Sequence, residues 1–108
     1  MHQFPVAFEG CVSADIPVHL HFRDETIASG TAFNISRVGL LIRTRDAYPR
    51  SGPVDVRIPI PGPDAEHIVR LPASVVHSGR RVVGLMLRDL DDEREAAIQR
   101  LLRGDESS

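Results

Sequence analysis

Ile16-Pro17-Val18-His19-Leu20-His21-Phe22 alternates without a slip. Ile16, Val18, Leu20 and Phe22 fall on one face, and Pro17, His19 and His21 on the other. A period of two is the mark of a strand with one face buried and the other wet. Toward the C-terminus, Arg23-Asp24-Glu25 is a polar break suited to a hairpin turn. A second extended run then places Ile27, Thr31, Phe33 and Ile35 on one side. Its other side carries Ala28, Gly30 and Ala32, which predicts close approach of another backbone or a bend. In a third run Val38, Leu40 and Ile42 alternate with Leu41 and Arg43.

Arg45 to Pro53 contains Pro49, Gly52 and Pro53 and reads as a loop. Val54, Val56, Ile58 and Ile60 next alternate with Asp55, Arg57, Pro59 and Pro61, a fourth strand. Pro59 cannot donate to a ladder, which predicts an edge position. Pro61-Gly62-Pro63-Asp64 closes that strand, and His67 to His77 supplies a fifth, with Val69, Leu71, Ala73 and Val75 on one face. Ser78-Gly79-Arg80 makes a tight connection to a last strand over Arg81 to Arg88. Short strands joined by Gly/Pro turns argue for an all-β antiparallel barrel or sandwich. The period then changes: Ala97, Ile98, Leu101 and Leu102 form a stripe at helical spacing. Asp92 with Glu95 resembles a capping box, and Gly104 suits the residue that stops a helix. One short C-terminal helix should pack on the barrel, its apolar stripe contributing on the order of 5 kcal/mol before entropy is subtracted.

The chain has 108 residues, enough for one compact domain. Its net charge is −2, so no global basic field attracts nucleic acid or an anionic membrane. All 13 basic residues are arginine. A single cysteine, Cys11, forbids an intramolecular disulfide and a cysteine-rich zinc cluster. No basic stretch followed by an apolar run opens the chain, and no segment approaches the ~20 apolar residues that span a bilayer. The expected location is the cytoplasm.

Asn34-Ile35-Ser36-Arg37-Val38-Gly39-Leu40 lies between the second and third strands. Asn offers a donor and an acceptor, and Ser a hydroxyl that does both. Residues i and i+2 of one strand share a face, so Asn34 and Ser36 should point together. Gly39 would let a flat ligand approach the backbone, which makes the stretch a reasonable wall for a guanine edge. Equally, Asn34 and Ser36 could satisfy backbone groups at a bulge, with Gly39 at positive φ. This stretch resembles the PilZ family, whose members carry Asp or Asn, any residue, Ser, any two residues, then Gly between adjacent strands. An Ile-Pro-Val strand upstream and a Val-Val-Gly-Leu-Met-Leu strand before a short helix extend the resemblance over residues 15–103. It implies a six-stranded PilZ-type β-barrel and a non-enzymatic role in bacterial cyclic di-GMP signalling.

The ligand binders of that family carry a second motif, Arg, any three residues, Arg, ahead of the first strand. Here Cys11 and Asp15 fall where those arginines would sit, and no Arg or Lys occurs from Met1 to Phe22. A carboxylate at Asp15 would repel a phosphodiester that arginine would attract. The resemblance therefore implies a ligand site of Asn34, Ser36, Arg37 and Gly39, no cofactor, and weak or absent binding of cyclic di-GMP. Arg37, or Arg80 and Arg81 of the last hairpin, would have to replace the missing clamp. The alternative is a ligand-independent adaptor that binds a protein partner, as family members do in type IV pilus assembly and surface motility. Residues 1–14 read as a lead segment, 15–103 as the barrel with its helix, and 104–108 as a polar tail.

Other candidates are weaker. His19 and His21 share a face, but no third metal ligand is identifiable, so no metal site is expected. His67 and His77 sit at opposite ends of one strand without a catalytic role. No nucleophile elbow, phosphate loop or metal-protease pattern occurs, so an enzyme is not expected. Four Phe, one Tyr and no Trp leave few aromatics for a nucleic-acid face. Arg43, Arg45 and Arg50 gather near Tyr48, either as a solvated loop or as part of a docking surface. Cys11 reads as a small buried hydrophobe or an inert thiol. The alternation of Phe4, Val6 and Phe8 suggests an extra strand, in cis or across a dimer.

Overall fold

The computed structural model describes residues 12–61 and 65–103. Cys11, the Phe4-Val6-Phe8 alternation, most of the Pro61–Asp64 turn and Gly104 lie outside the described residues. Six strands form a closed barrel: β1 (Val12–Phe22), β2 (Ile27–Ile35), β3 (Gly39–Thr44), β4 (Gly52–Ile60), β5 (His67–Ser78) and β6 (Val82–Leu87). The helix α1 (Asp92–Arg103) follows. Around the barrel the order is β1-β2-β3-β6-β5-β4, every neighbour antiparallel. Hairpins build β1-β2-β3 and, separately, β4-β5-β6. The β3–β6 and β1–β4 pairings join the two halves and remove every free edge.

The alternation works as read in β1 and β4, where Val18, Leu20, Phe22, Val54, Val56, Ile58 and Ile60 are buried. A six-stranded barrel is narrow, and these side chains fill it together with Leu40, Ile42, Leu71, Val83 and Leu85. In β2 the faces are the reverse of the reading from bulk. Ala28 and Ala32 point into the core, whereas Ile27 is 55% exposed. A bulge between Ala32 and Asn34 then shifts the register and turns Ile35 inward. Close backbone approach decides this. A Cβ at Gly30 would stand 2.5 Å from the Arg43 carbonyl oxygen, so β2 must present its small residues here.

Closure also corrects the edge assignment of the fourth strand, because β4 pairs with both β1 and β5. The β1–β4 ladder ends at Arg57, however, so Pro59 opposes only Ile68 of β5 and breaks no second ladder. The helix buries Ala97, Ile98 and Leu101, while Leu102 is only half-buried, and it lies against β4 and β5. Its N-cap is Asp91 rather than Asp92. The Asp91 carboxylate accepts the Arg94 N–H at 2.9 Å, and its carbonyl accepts the Glu95 N–H at 2.9 Å. Glu95 is therefore one residue too far along to close a capping box. Arg94 takes the position instead, donating to Asp91 Oδ2 at 3.1 Å and to the Arg70 carbonyl at 2.8 Å, which ties α1 to β5.

Candidate functional site

The turn between β2 and β3 consists of Ser36, Arg37 and Val38. Ser36 has no exposed surface. Its hydroxyl accepts the N–H groups of Val38 and Gly39, each at 3.1 Å, and donates to the Gly39 carbonyl at 3.3 Å. Its backbone N–H reaches the same carbonyl at 2.9 Å. One donor and two acceptor sites are all that a hydroxyl possesses, so Ser36 is saturated by the turn it closes.

Asn34 behaves differently. It sits on the bulge, half-buried, opposite Ser13 of β1 and Leu41 of β3. Its side-chain amide has no hydrogen-bond partner among the described residues. Asn34 and Ser36 do not share a face as expected, because Ser36 lies beyond the end of β2 and folds inward. Gly39 is buried as the first residue of β3, opposite Met86. Its φ is not positive; Gly52 is the described glycine with that conformation. Arg37 is exposed at the tip of the turn.

β1 starts at Val12, before the Ile16–Phe22 alternation begins, and its first residues pair beside the motif: Val12 with Ile35 and Ser13 with Asn34. The ladder slips between Ser13 and Ile16, and Asp15 stands exposed on that irregularity. On the β4 side of this segment, a groove of about 580 Å³ is lined by Asp15, Glu66, Pro59 and Leu101 among others. Its charged lining groups are both carboxylates, so the surroundings of the β1 start repel phosphate.

Arg80 and Arg81 cannot supply the clamp. Gly39 faces Met86 near one end of β6, whereas Arg81 precedes its other end and its carbonyl accepts the Thr44 N–H at 2.9 Å. The length of β6 separates them from the motif, roughly 17 Å at strand rise. They join Arg45, Arg50 and Tyr48 instead.

Two exposed apolar residues at the site were not anticipated. Val38, read as a core position, lies in the turn and is 50% exposed, and Met86 opposite Gly39 is 45% exposed. The signal was present in Gly39, which starts β3 one residue later than the alternation suggests.

His19 and His21 lie on the outer face of β1, opposite Arg57 and Asp55 of β4. Arg70 of β5 completes the row opposite Arg57 and pairs with Asp55 at 2.9 Å. Burial holds the His21 pKa below its usual value of 6.5, and the neighbouring Arg57 and His19 push it the same way. Among the described residues, no group of three His, Cys, Asp or Glu side chains converges to hold a metal. No helix of the described residues is long and apolar enough to cross a membrane.

Residues 8–104 match the family model of the PilZ domain. The comparison with curated proteins found no match. Among solved structures, the PilZ domain of CeSA from a cellulose-synthesizing bacterium aligns with a TM-score of 0.69 at 26% identity, over 89% of this chain and 97% of that one. The PilZ domain of YcgR from Escherichia coli, solved with c-di-GMP, gives a TM-score of 0.69 at 12% identity, covering 89% and 88%. The Bacillus subtilis inhibitor of motility (MotI/DgrA) gives 0.68 at 16% identity, over 91% of this chain and 50% of that one.

Proposed function

This chain belongs to the PilZ domain family, and from that membership we propose that it is a non-enzymatic receptor or adaptor of bacterial cyclic di-GMP signalling, with weak or absent binding of the dinucleotide itself. The observation that carries this reading is the division of labour inside the motif. Nothing among the described residues bonds the Asn34 amide, Ser36 is saturated within its own turn, and Asp15 is an exposed carboxylate on the irregular start of β1, the strand that pairs with Asn34. A dianionic ligand would meet one open amide, the exposed Arg37 and a repelling carboxylate. Charge-assisted bonds from arginine are roughly twice as strong as neutral ones, so a wall with Arg37 as its one arginine offers a dianion few of the strongest contacts. The structural neighbours support the signalling system: one was solved with c-di-GMP and another is an inhibitor of motility.

The test is a gain of function. The Cys11→Arg/Asp15→Arg variant should bind cyclic di-GMP at least about tenfold more tightly than the natural protein in calorimetric titration. An unchanged affinity in a folded variant would mean that these positions do not face the ligand.

The second reading is a ligand-independent adaptor of the kind that acts in pilus assembly or surface motility. The exposed Val38 and Met86 favour it, because they place apolar surface beside the motif that a partner protein could cover. In either reading the protein works in the cytoplasm and performs no chemistry on its ligand.

A further inference from the structure

The opposite end of the barrel carries a second constellation. The loop between β3 and β4 brings Arg45 and Arg50 against the β5–β6 hairpin, which carries Arg80 and Arg81, and these four arginines line one concavity of about 410 Å³. None of them forms an ion pair; the ion pairs among the described residues are Arg70–Asp55 and Arg94–Asp91. The carboxylate in the lining, Asp46, accepts the Ser29 N–H at 2.8 Å. Four guanidiniums thus stand against one carboxylate that already serves the backbone. Such an arrangement repels itself until an anion enters between the charges.

Two observations distinguish this end from a scatter of surface arginines. The wall is held in place: Arg50 Nη1 donates to Ser78 Oγ at 3.0 Å, and the Tyr48 hydroxyl meets the same oxygen at 3.0 Å. The Tyr48 ring stacks on Phe22 with centroids 6.1 Å apart. Moreover, Arg81 has φ +66°, a left-handed conformation that glycine adopts freely and arginine only at a cost to stability. The hairpin is fixed on both sides of it, by the Gly79 N–H on the Val82 carbonyl at 2.8 Å and by the Thr44 N–H on the Arg81 carbonyl. Glu25 and Asp89 share a positive φ, but of the three only Arg81 is a cation lining a concavity with other cations.

We propose that this concavity binds a phosphate-bearing group through Arg45, Arg50, Arg80 and Arg81. Arginine forks match phosphate oxygens in pairs, and arginines from two adjacent loops can grip one group from different sides. The site lies a strand's length from Asn34, so it is separate from the dinucleotide site proposed above and does not depend on it.

The probe is sodium pyrophosphate, titrated into the isotope-labelled full chain at about 100 mM salt and followed by amide and guanidinium resonances. The expected result is a saturable shift confined to Arg45, Arg50, Gly79, Arg80 and Arg81. Arg80→Gln should weaken it by about tenfold, the loss of one charge-assisted contact. Arg81→Gly should weaken it comparably without lowering the thermal midpoint, which separates lost binding from lost folding. A parallel sedimentation arm with phosphatidylglycerol vesicles identifies the source: no association points to a free phosphate compound, and association lost in Arg80→Gln points to a lipid headgroup. Shifts that do not saturate and that extend equally to Arg57, Arg70 and Arg100 would overturn the proposal. Equal binding of a glutamate-rich peptide would also overturn it, by making the cluster a surface for carboxylates in general.

Discussion

The two ends of the barrel treat polar side chains in opposite ways. At the β2–β3 end, the residues of a recognisable motif turn inward: Ser36 is fully buried and bonded only to its own loop, and Gly39 is buried beneath it. At the β3–β4 and β5–β6 end, no motif is recognisable, yet Arg45, Arg50, Arg80 and Arg81 are exposed around one concavity without ion pairs among the described residues. A sequence pattern therefore marks a place where the backbone needs particular residues, which is not the same as a place where a ligand finds them. Arg37 is exposed at the tip of the turn, and Asn34, whose amide has no partner among the described residues, stands on a bulge, the irregularity that turns a side chain away from the core.

Ser36→Ala should have the largest effect. The buried Gly39 N–H and the part-buried Val38 N–H would lose their acceptor, and stability should fall by about 2–3 kcal/mol, read from urea unfolding. Asn34→Ala should leave stability within about 0.5 kcal/mol. Equal losses from the two would erase the distinction between the inward and the open half of the motif. Asp91→Ala is intermediate: removal of the N-cap of α1, which also holds Arg94, should cost about 1 kcal/mol.

The smallest effect is a pH dependence on the wall between the two ends. The fold holds His21 below its usual pKa of 6.5, chiefly by burial. The unfolded chain then binds more protons than the folded one just below that value. His21's contribution to stability is complete above it and is lost as pH falls through the folded-state pKa. Urea midpoints measured from pH 7 to pH 5 should decline less steeply in His21→Gln than in the natural protein. An identical slope would show that β1 does not disfavour the charged imidazole.

Much of the barrel was legible because alternation reports burial directly, as in Val54–Ile60. β2 misleads because side-chain bulk points to the wrong face, whereas the narrow interior next to Gly30 admits only Ala28 and Ala32. The helix cap was missed by one residue, since Asp91 and Asp92 are chemically alike and only geometry chooses between them. The position of the motif was legible, but the role of Ser36 was not, because three bonds to its own turn leave no mark on the sequence. The four-arginine concavity was hidden for a topological reason. Arg45 and Arg80 are far apart in the chain, and only the β3–β6 pairing, which joins non-consecutive strands, brings their loops together.

The proposal that this PilZ domain binds cyclic di-GMP weakly or not at all rests on the saturated Ser36 and the acidic start of β1. Calorimetric titration of the folded natural protein with cyclic di-GMP at moderate salt tests it most directly, with Asn34→Ala as the control. The expected Kd is weaker than about 100 μM, or no heat is detectable, with any residual binding abolished in Asn34→Ala. A Kd near 1 μM or tighter would contradict it, and would mean that the dinucleotide draws phosphate contacts from outside the motif described here.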